Sequence, residues 1–408
     1  MKKVLLLFCV LMSALIVMPE SADAQLFGGA KKKQRKSSRK IGSFSGTSRS
    51  FNSEISYYAV GGGVNALNYF GDIAPRPNTF STDVSFTRPG INFFIKQKFG
   101  DRYSWRANFM WGRLQASDVE TVGVDNFNAE NANRYLRNLS FRNDILELSL
   151  TGQLDLFKHG GRFSSRPPLN VYLFGGVGLL YHNPKGLVPD YFTRDPFLVD
   201  NPIDFLGGDT PRYVELEQAG TWVSLKNLGT EGQNFTDEQR ASYKDLYDRD
   251  LPTSYSNFQL VIPIGIGARY KLTNNFDIGI ELSYRHTFTD YLDDVSRDYV
   301  DLGSFLASGG SDAFLAMAMS DKSNQFSQEE SQTIRETTYT NRINAYTSNE
   351  DGIIFPYSRA AGYGWPGGTD VTRNKRGDGG KENDIFIVTN ITLTYIMGGG
   401  FVKGAKFR

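Results

Sequence analysis

Beyond Cys9 this chain of 408 residues contains no thiol, so disulfides, cysteine-ligated zinc and cysteine nucleophiles are excluded. Histidine is nearly as scarce. His159, His182 and His286 are the three in the sequence, and no nucleophile, base and orienting group assemble around them in a pattern that hydrolysis requires. No catalytic residue, cofactor, metal site or small-molecule substrate is expected. After residue 18 no apolar run approaches the roughly 20 residues a membrane-spanning helix needs. A mean hydropathy of −0.37 suits a soluble β-protein and a transmembrane barrel equally, because lipid-facing and lumen-facing residues cancel in any average.

What is present begins with an export signal. Met1-Lys2-Lys3 is a short basic start, Val4 to Met18 is apolar, and Ala22-Asp23-Ala24 has the small-x-small form that a signal peptidase reads. Residues 1–24 are therefore expected to be removed. Cys9 has further apolar residues after it, which argues against lipid attachment. The next segment, 25–53, carries Lys31, Lys32, Lys33, Arg35, Lys36, Arg39 and Lys40, seven positive charges in ten residues. Because the whole chain is +1 and the signal peptide's charges cancel, everything after this arm sums to about −6. A solvated tail is the plain reading; a periplasmic arm that grips anionic head groups or an acidic partner is the sharper one. Nucleic acid is no partner for an exported chain.

From residue 54 to 408 the pattern is of strands. In Asp144 to Leu156, Leu146, Leu148, Leu150, Leu154 and Leu156 alternate with Glu147, Ser149, Thr151, Gln153 and Asp155. One face suits lipid and the other a polar lumen. Phe276 to Phe288 and Gln259 to Leu272 repeat the alternation, with Pro263 in the latter read as a bulge because it removes a ladder donor. Ile55 to Phe70, Ile91 to Phe99, Tyr103 to Gln115, Asn170 to Tyr181 and Asp384 to Met397 are compatible with it. Gly100-Asp101, Thr273 to Asn275 and Lys158 to Leu169 give short connections. Roughly 71–89, 117–139, 183–257 and 290–383 give long ones. The expectation is all-β: an outer-membrane antiparallel β-barrel of about eight strands, with long extracellular loops holding short helices and both termini in the periplasm.

Such a barrel has a lumen filled by side chains. Inward parity places Glu147 and Glu281 with Arg106, Arg269 and Arg285, which predicts ion pairing inside. In the loops, Thr236 to Gln239 has capping-box spacing ahead of a short helix over 240–247, and Ser311 to Met319 reads as another, its apolar stripe packing onto the loops themselves. Asp290, Asp293 and Asp294 head an acidic cluster that lacks calcium-loop spacing, so salt bridging to loop arginines or solvation is expected. Arg376-Gly377-Asp378 has the form of an adhesion tripeptide, which arises easily in a Gly-rich charged loop. His286 is placed outward near the outer leaflet, in an aromatic-like role.

Several segments carry a resemblance. Asn68-Tyr69-Phe70-Gly71-Asp72, Arg137-Asn138-Leu139-Ser140-Phe141-Arg142, Leu228-Gly229-Thr230-Glu231-Gly232-Gln233, Thr289 to Ser296 and Arg376-Gly377-Asp378 are similar to the PorG-like family. The resemblance implies a non-enzymatic outer-membrane component of the type IX secretion system, associated with a periplasmic ring of a PorK-like lipoprotein and its PorN-like partner. A surface barrel binding ligands through its long loops is the alternative, and a lipid-modifying barrel enzyme with His286 on its outer face is the third.

Overall fold

The computed structural model describes residues 56–73, 87–122, 137–159, 163–193, 213–307, 312–322, 343–347, 354–358, 376–377 and 382–397. The expected signal peptide and the basic arm lie outside them. In chain order the strands are β1 (Tyr57–Phe70), β2 (Arg88–Phe99), β3 (Tyr103–Ser117), β4 (Ser140–Asp155), β5 (Leu169–Tyr181), β6 (Pro184–Leu187) and β7 (Tyr191–Thr193). They continue as β8 (Tyr213–Glu215), β9 (Trp222–Ser224), β10 (Phe258–Lys271), β11 (Phe276–Thr287), β12 (Ile343–Thr347), β13 (Ile354–Ser358) and β14 (Ile385–Ile396). The helices are α1 (Asp118–Val122), α2 (Leu225–Leu228), α3 (Asp237–Tyr247), α4 (Leu302–Ala307) and α5 (Ala313–Ser320).

Eight long strands pair antiparallel in the order β3-β2-β1-β14-β11-β10-β5-β4, and a β3–β4 seam closes the ring. Stepping across hydrogen-bonded partners from Tyr58 leads through Gln97, Trp105, Gly152, Gly175, Ile264, Tyr284 and Ile387 back to β1 at Asn68, ten residues further on. That stagger sets the strand tilt, roughly 40° for a barrel of this size. Each seam keeps a single register along its length.

Pro263 is therefore not a bulge. The register on both sides of it is unchanged, with Val261 opposite Gly178 and Ile264 opposite Gly175. The ladder to β5 is interrupted opposite Ile262 and Pro263, while the ladder to β11 runs through Pro263↔Arg285. The missing N–H thus falls on the β5 seam, where two rungs are absent and no residue is inserted.

Side chains alternate as the sequence leads one to expect. Leu148 is 61% exposed while Glu147 beside it is fully buried. Leu150, Ile280, Leu282, Leu260, Phe93, Val177, Ile391 and Leu393 are exposed around the same level of the wall. From Leu146 to Leu156 is about 33 Å along the strand and about 25 Å along the axis at this tilt, the height of a bilayer-facing band. Aromatic groups mark its edges: Phe276 against Tyr395 and Phe99 against Tyr103 near the short turns, Tyr181 against Phe258 near the long loops. Leu148→Arg is expected to lower stability by about 2–4 kcal/mol in urea titration of the liposome-embedded barrel. Leu246→Arg on α3, an equally apolar residue exposed in a loop, should cost about 0.5 kcal/mol or less. Equal effects would mean that the belt does not face lipid.

The turns 100–102, 156–168 and 272–275 are at one end, together with Tyr57 and Ile396. The strand ends Phe70, Arg88, Ser117, Ser140, Tyr181, Phe258, Thr287 and Ile385 are at the other, where the longer connections start and finish. Among them β6 pairs with the upper end of β4 and with β9, β7 pairs with β8, and β12 with β13. α3 begins at the expected capping box: Thr236 accepts from the Gln239 N–H, and the Gln239 side chain accepts from the Thr236 N–H. The apolar core sits at this long-loop end. Leu67, Tyr69, Met110, Leu114, Phe141, Ile145, Leu180, Val261, Phe386 and Val388 from the barrel rim pack with Leu292, Val295, Leu302, Phe305 and the α5 residues Leu315 to Met319.

Candidate functional site

The lumen is lined by ionisable and polar side chains arranged in tiers. Strand parity points every second residue inward, and the small bore brings opposite walls within side-chain reach. Arg106 on β3 meets Glu281 on β11 at 2.5 Å, across the full diameter of the ring. Tyr172 also donates to Glu281 at 2.5 Å, and Asn390 at 3.4 Å. One tier towards the loops, Arg285 pairs with Glu147 at 2.8 Å. Arg269 goes elsewhere than expected. Its partner is Asp155, which also takes Lys98 at 2.5 Å and His159 at 3.1 Å. Asp277 is held by Arg166 through both carboxylate oxygens. Among the described residues these pairs bridge the bore from wall to wall, which opposes free diffusion of solutes.

Asp155, Lys98, Arg166 and Asp277 are members of this network that sequence reasoning did not pair. Parity had put Asp155 and Asp277 inward, and Lys98 lies on the inward parity of β2. Arg166 reaches in from a turn, which no periodicity marks. Glycines make the space. A Cβ on Gly267 would stand 2.5 Å from the Tyr172 ring, and one on Gly61 would overlap the ring of Phe94.

A polar cap closes the long-loop mouth. Arg137 holds Asp118 through two hydrogen bonds of 2.7 Å and donates to the backbone carbonyls of Asp72 and Arg376, each at 2.8 Å. Arg376, 1% exposed, donates to Glu231 at 3.1 Å and to the carbonyls of Asp294 at 2.6 Å and Ser320 at 3.1 Å. Glu231 in turn accepts from the N–H groups of Ser296 (2.9 Å) and Arg297 (3.1 Å). Burial pushes the Glu231 carboxyl up, and Arg376 with the backbone donors pulls it back. Gly377 lies against Asp72 and Ser296 so closely that a Cβ would come within 2.5 Å. The cap therefore joins residues from five separate stretches of the chain, around Asp72, Arg137, Glu231, Ser296 and Arg376.

Asp290, Asp293 and Asp294 belong to this cap and are buried, whereas Asp298 of the same stretch is only partly buried. Asp293 and Asp294 are fully buried. Asp294 accepts from Thr230 and, at 2.7 Å, from Tyr255; Asp293 accepts from the N–H groups of Ile73 and Val295. The arginine bridge in this stretch is Arg249 to Asp298, at 3.8 Å. Among the described residues no group of acidic, histidine or cysteine side chains has metal-holding geometry. The buried Arg376 is likewise unavailable for adhesion.

Asp293 and a neighbouring carboxyl, Asp384, give the cap an expected dependence on pH. Burial, then the neighbouring Asp72 charge, pushes Asp293 well above the ordinary carboxyl range; burial, then Asp293, does the same to Asp384, which accepts from Tyr69 at 2.7 Å and from the Leu292 N–H at 2.8 Å. A raised folded-state pKa means that the folded cap holds protons which the opened one releases. Its contribution is complete below about pH 4 and is lost as pH rises through the folded values. Protease cleavage of the loops in outer-membrane vesicles should accordingly increase with pH, and Asp384→Asn should flatten the rise. A wild-type profile independent of pH would refute this account.

The three histidines lie apart, two of them buried. Burial pulls His159 down to about 4 against the opposing hydrogen bond to Asp155, and does the same to His182, which stacks on Tyr255 with ring centroids 5.8 Å apart. His286 is half-buried on the outer wall between Tyr284 and Phe288.

A closed eight-stranded wall, an apolar belt with aromatic edges and a polar interior make this an outer-membrane-type β-barrel. Solved structures similar to it include Neisserial surface protein A (6% identity, TM-score 0.29, covering 83% of this chain and 96% of that one). Ail of Yersinia pestis, in complex with the heparin analogue sucrose octasulfate, is similar at 8% identity and TM-score 0.25, covering 56% of this chain and 86% of that one. A major outer membrane protein from Thermus thermophilus gives 10% identity and TM-score 0.27, covering 83% and 99%. No curated protein matches. By family, residues 47–194, which include five of the eight barrel strands, match the model described as "Domain of unknown function (DUF6089)".

Proposed function

We propose that this chain is a non-enzymatic outer-membrane component of the type IX secretion machinery, which anchors or stabilises a periplasmic ring of PorK-like and PorN-like proteins. The observation that carries the reading is the convergence of the five PorG-like segments in one buried cap. Segments up to some 300 residues apart in the sequence owe their form to a shared packing unit, so their joint likeness is a property of the whole barrel and loop system. A lumen bridged from wall to wall supports a scaffolding role over transport. In this reading the short turns, with Tyr57 at the start of β1, face the periplasm, and the long-loop end faces outwards. The protein does no chemistry.

Deletion of the gene tests this directly. Type IX cargo should vanish from the medium and accumulate in the periplasm, and a tagged barrel should co-purify the ring proteins. Normal cargo secretion in the deletion strain would sink the proposal, as would recovery of surface ligands without the ring.

A further inference from the structure

Near the short turns the lumen is unevenly charged. Lys96, Lys98, Arg106, Arg166 and Arg269 are all buried there, against Asp155, Asp277 and Glu281. Each of the three carboxylates already has a cationic partner: Asp155 meets Lys98, Arg269 and His159 through Oδ2, Asp277 meets Arg166, and Glu281 meets Arg106 and Tyr172. Lys96, 6% exposed, has no carboxylate among the described residues within ion-pair distance. Its Nζ lies 5.5 Å from the centre of the Tyr172 ring, and the Arg269 guanidinium lies 5.2 Å from the same ring. One aromatic ring shared by two cations offsets only part of the cost of burying them.

Lys96, Arg106 and Arg269 line a cavity of about 20 Å³, together with Asp277 and Glu281, so its wall carries three cationic groups against two carboxylates. That is room for one or two water-sized occupants, and too little for phosphate, sulfate or a carboxylic acid. We infer that this cavity binds a single monatomic halide, chloride under ordinary conditions, with Lys96 as its principal ligand. The ion supplies the negative charge that the surrounding carboxylates do not. Arg106 and Arg269 are positioning residues, since each keeps its own carboxylate. The site is independent of the secretion reading and stands whether or not that reading does.

Bromide and the full-length barrel refolded in detergent provide the test. Crystals soaked in sodium bromide should show an anomalous peak in contact with Lys96 Nζ. The apparent unfolding temperature should be about 2–4 °C higher in sodium chloride than in sodium gluconate of equal ionic strength, and Lys96→Met should abolish that difference. Heat-modifiable migration on gels shows that the variant still forms a barrel. Bromide confined to surface lysines would overturn the inference, because Lys96 would then be neutral or water-solvated. Equal halide responses in wild type and Lys96→Met would also overturn it, since the effect would arise elsewhere.

Discussion

Arg376→Met is expected to open the loop cap while leaving the barrel closed. The substitution removes the guanidinium from Glu231, a carboxylate with no solvent exposure, and strips the Asp294 and Ser320 carbonyls of a donor. Breaking a buried pair from one side costs about 3–5 kcal/mol, because the remaining charge stays desolvated. That is a large part of the stability of any loop assembly. Limited proteolysis on intact cells should cut the variant's loops at protease concentrations that spare the wild type, and heat-modifiability should be unchanged. Wild-type resistance in the variant would show that Arg376 does not hold the segments together.

The second large effect lies in the lumen. Arg106→Met leaves Glu281 with only Tyr172 and Asn390, and should lower stability in a urea titration by about 3 kcal/mol. The double variant Arg106→Met with Glu281→Met removes both charges and fills similar volume, so most of that loss should be recovered. If the double variant is as unstable as the single one, the pair is a source of net attraction. If neither differs from wild type, the carboxylate is solvated and the lumen is wetter than its packing implies.

These two networks differ in how far the sequence reveals them. Inward and outward sets on β4, β10 and β11 were legible because lipid and lumen impose opposite chemistry on a period of two. Arg106, Glu147, Arg269, Glu281 and Arg285 all point inward for that reason. Partner choice was not legible. A stagger of ten residues around the ring brings Arg106 level with Glu281 from the opposite wall, and Arg269 level with Asp155 two strands away. Neither relation leaves a trace in local spacing. Pro263 misled because a lost donor implied a local insertion, whereas the wall absorbs it as two missing rungs on one seam. In the cap, Thr236 and Gln239 were readable as a contiguous motif. Arg376 was not, because its acceptors come from three other places in the chain.

The seam between β1 and β14 runs unbroken from Ala59↔Ile396 to Phe70↔Ile385, joining residues more than 300 positions apart. Hairpins such as β2–β3 and β10–β11 can form as soon as their few turn residues are in place, but this seam waits for the whole chain. Until Ile385 to Ile396 arrive, β1 and β11 are two bare edges, each able to recruit a strand from another molecule. Loop-closure entropy thus favours late closure of this seam, and a chain cut short of Ile385 is expected to keep two open edges and to aggregate more readily than the full chain.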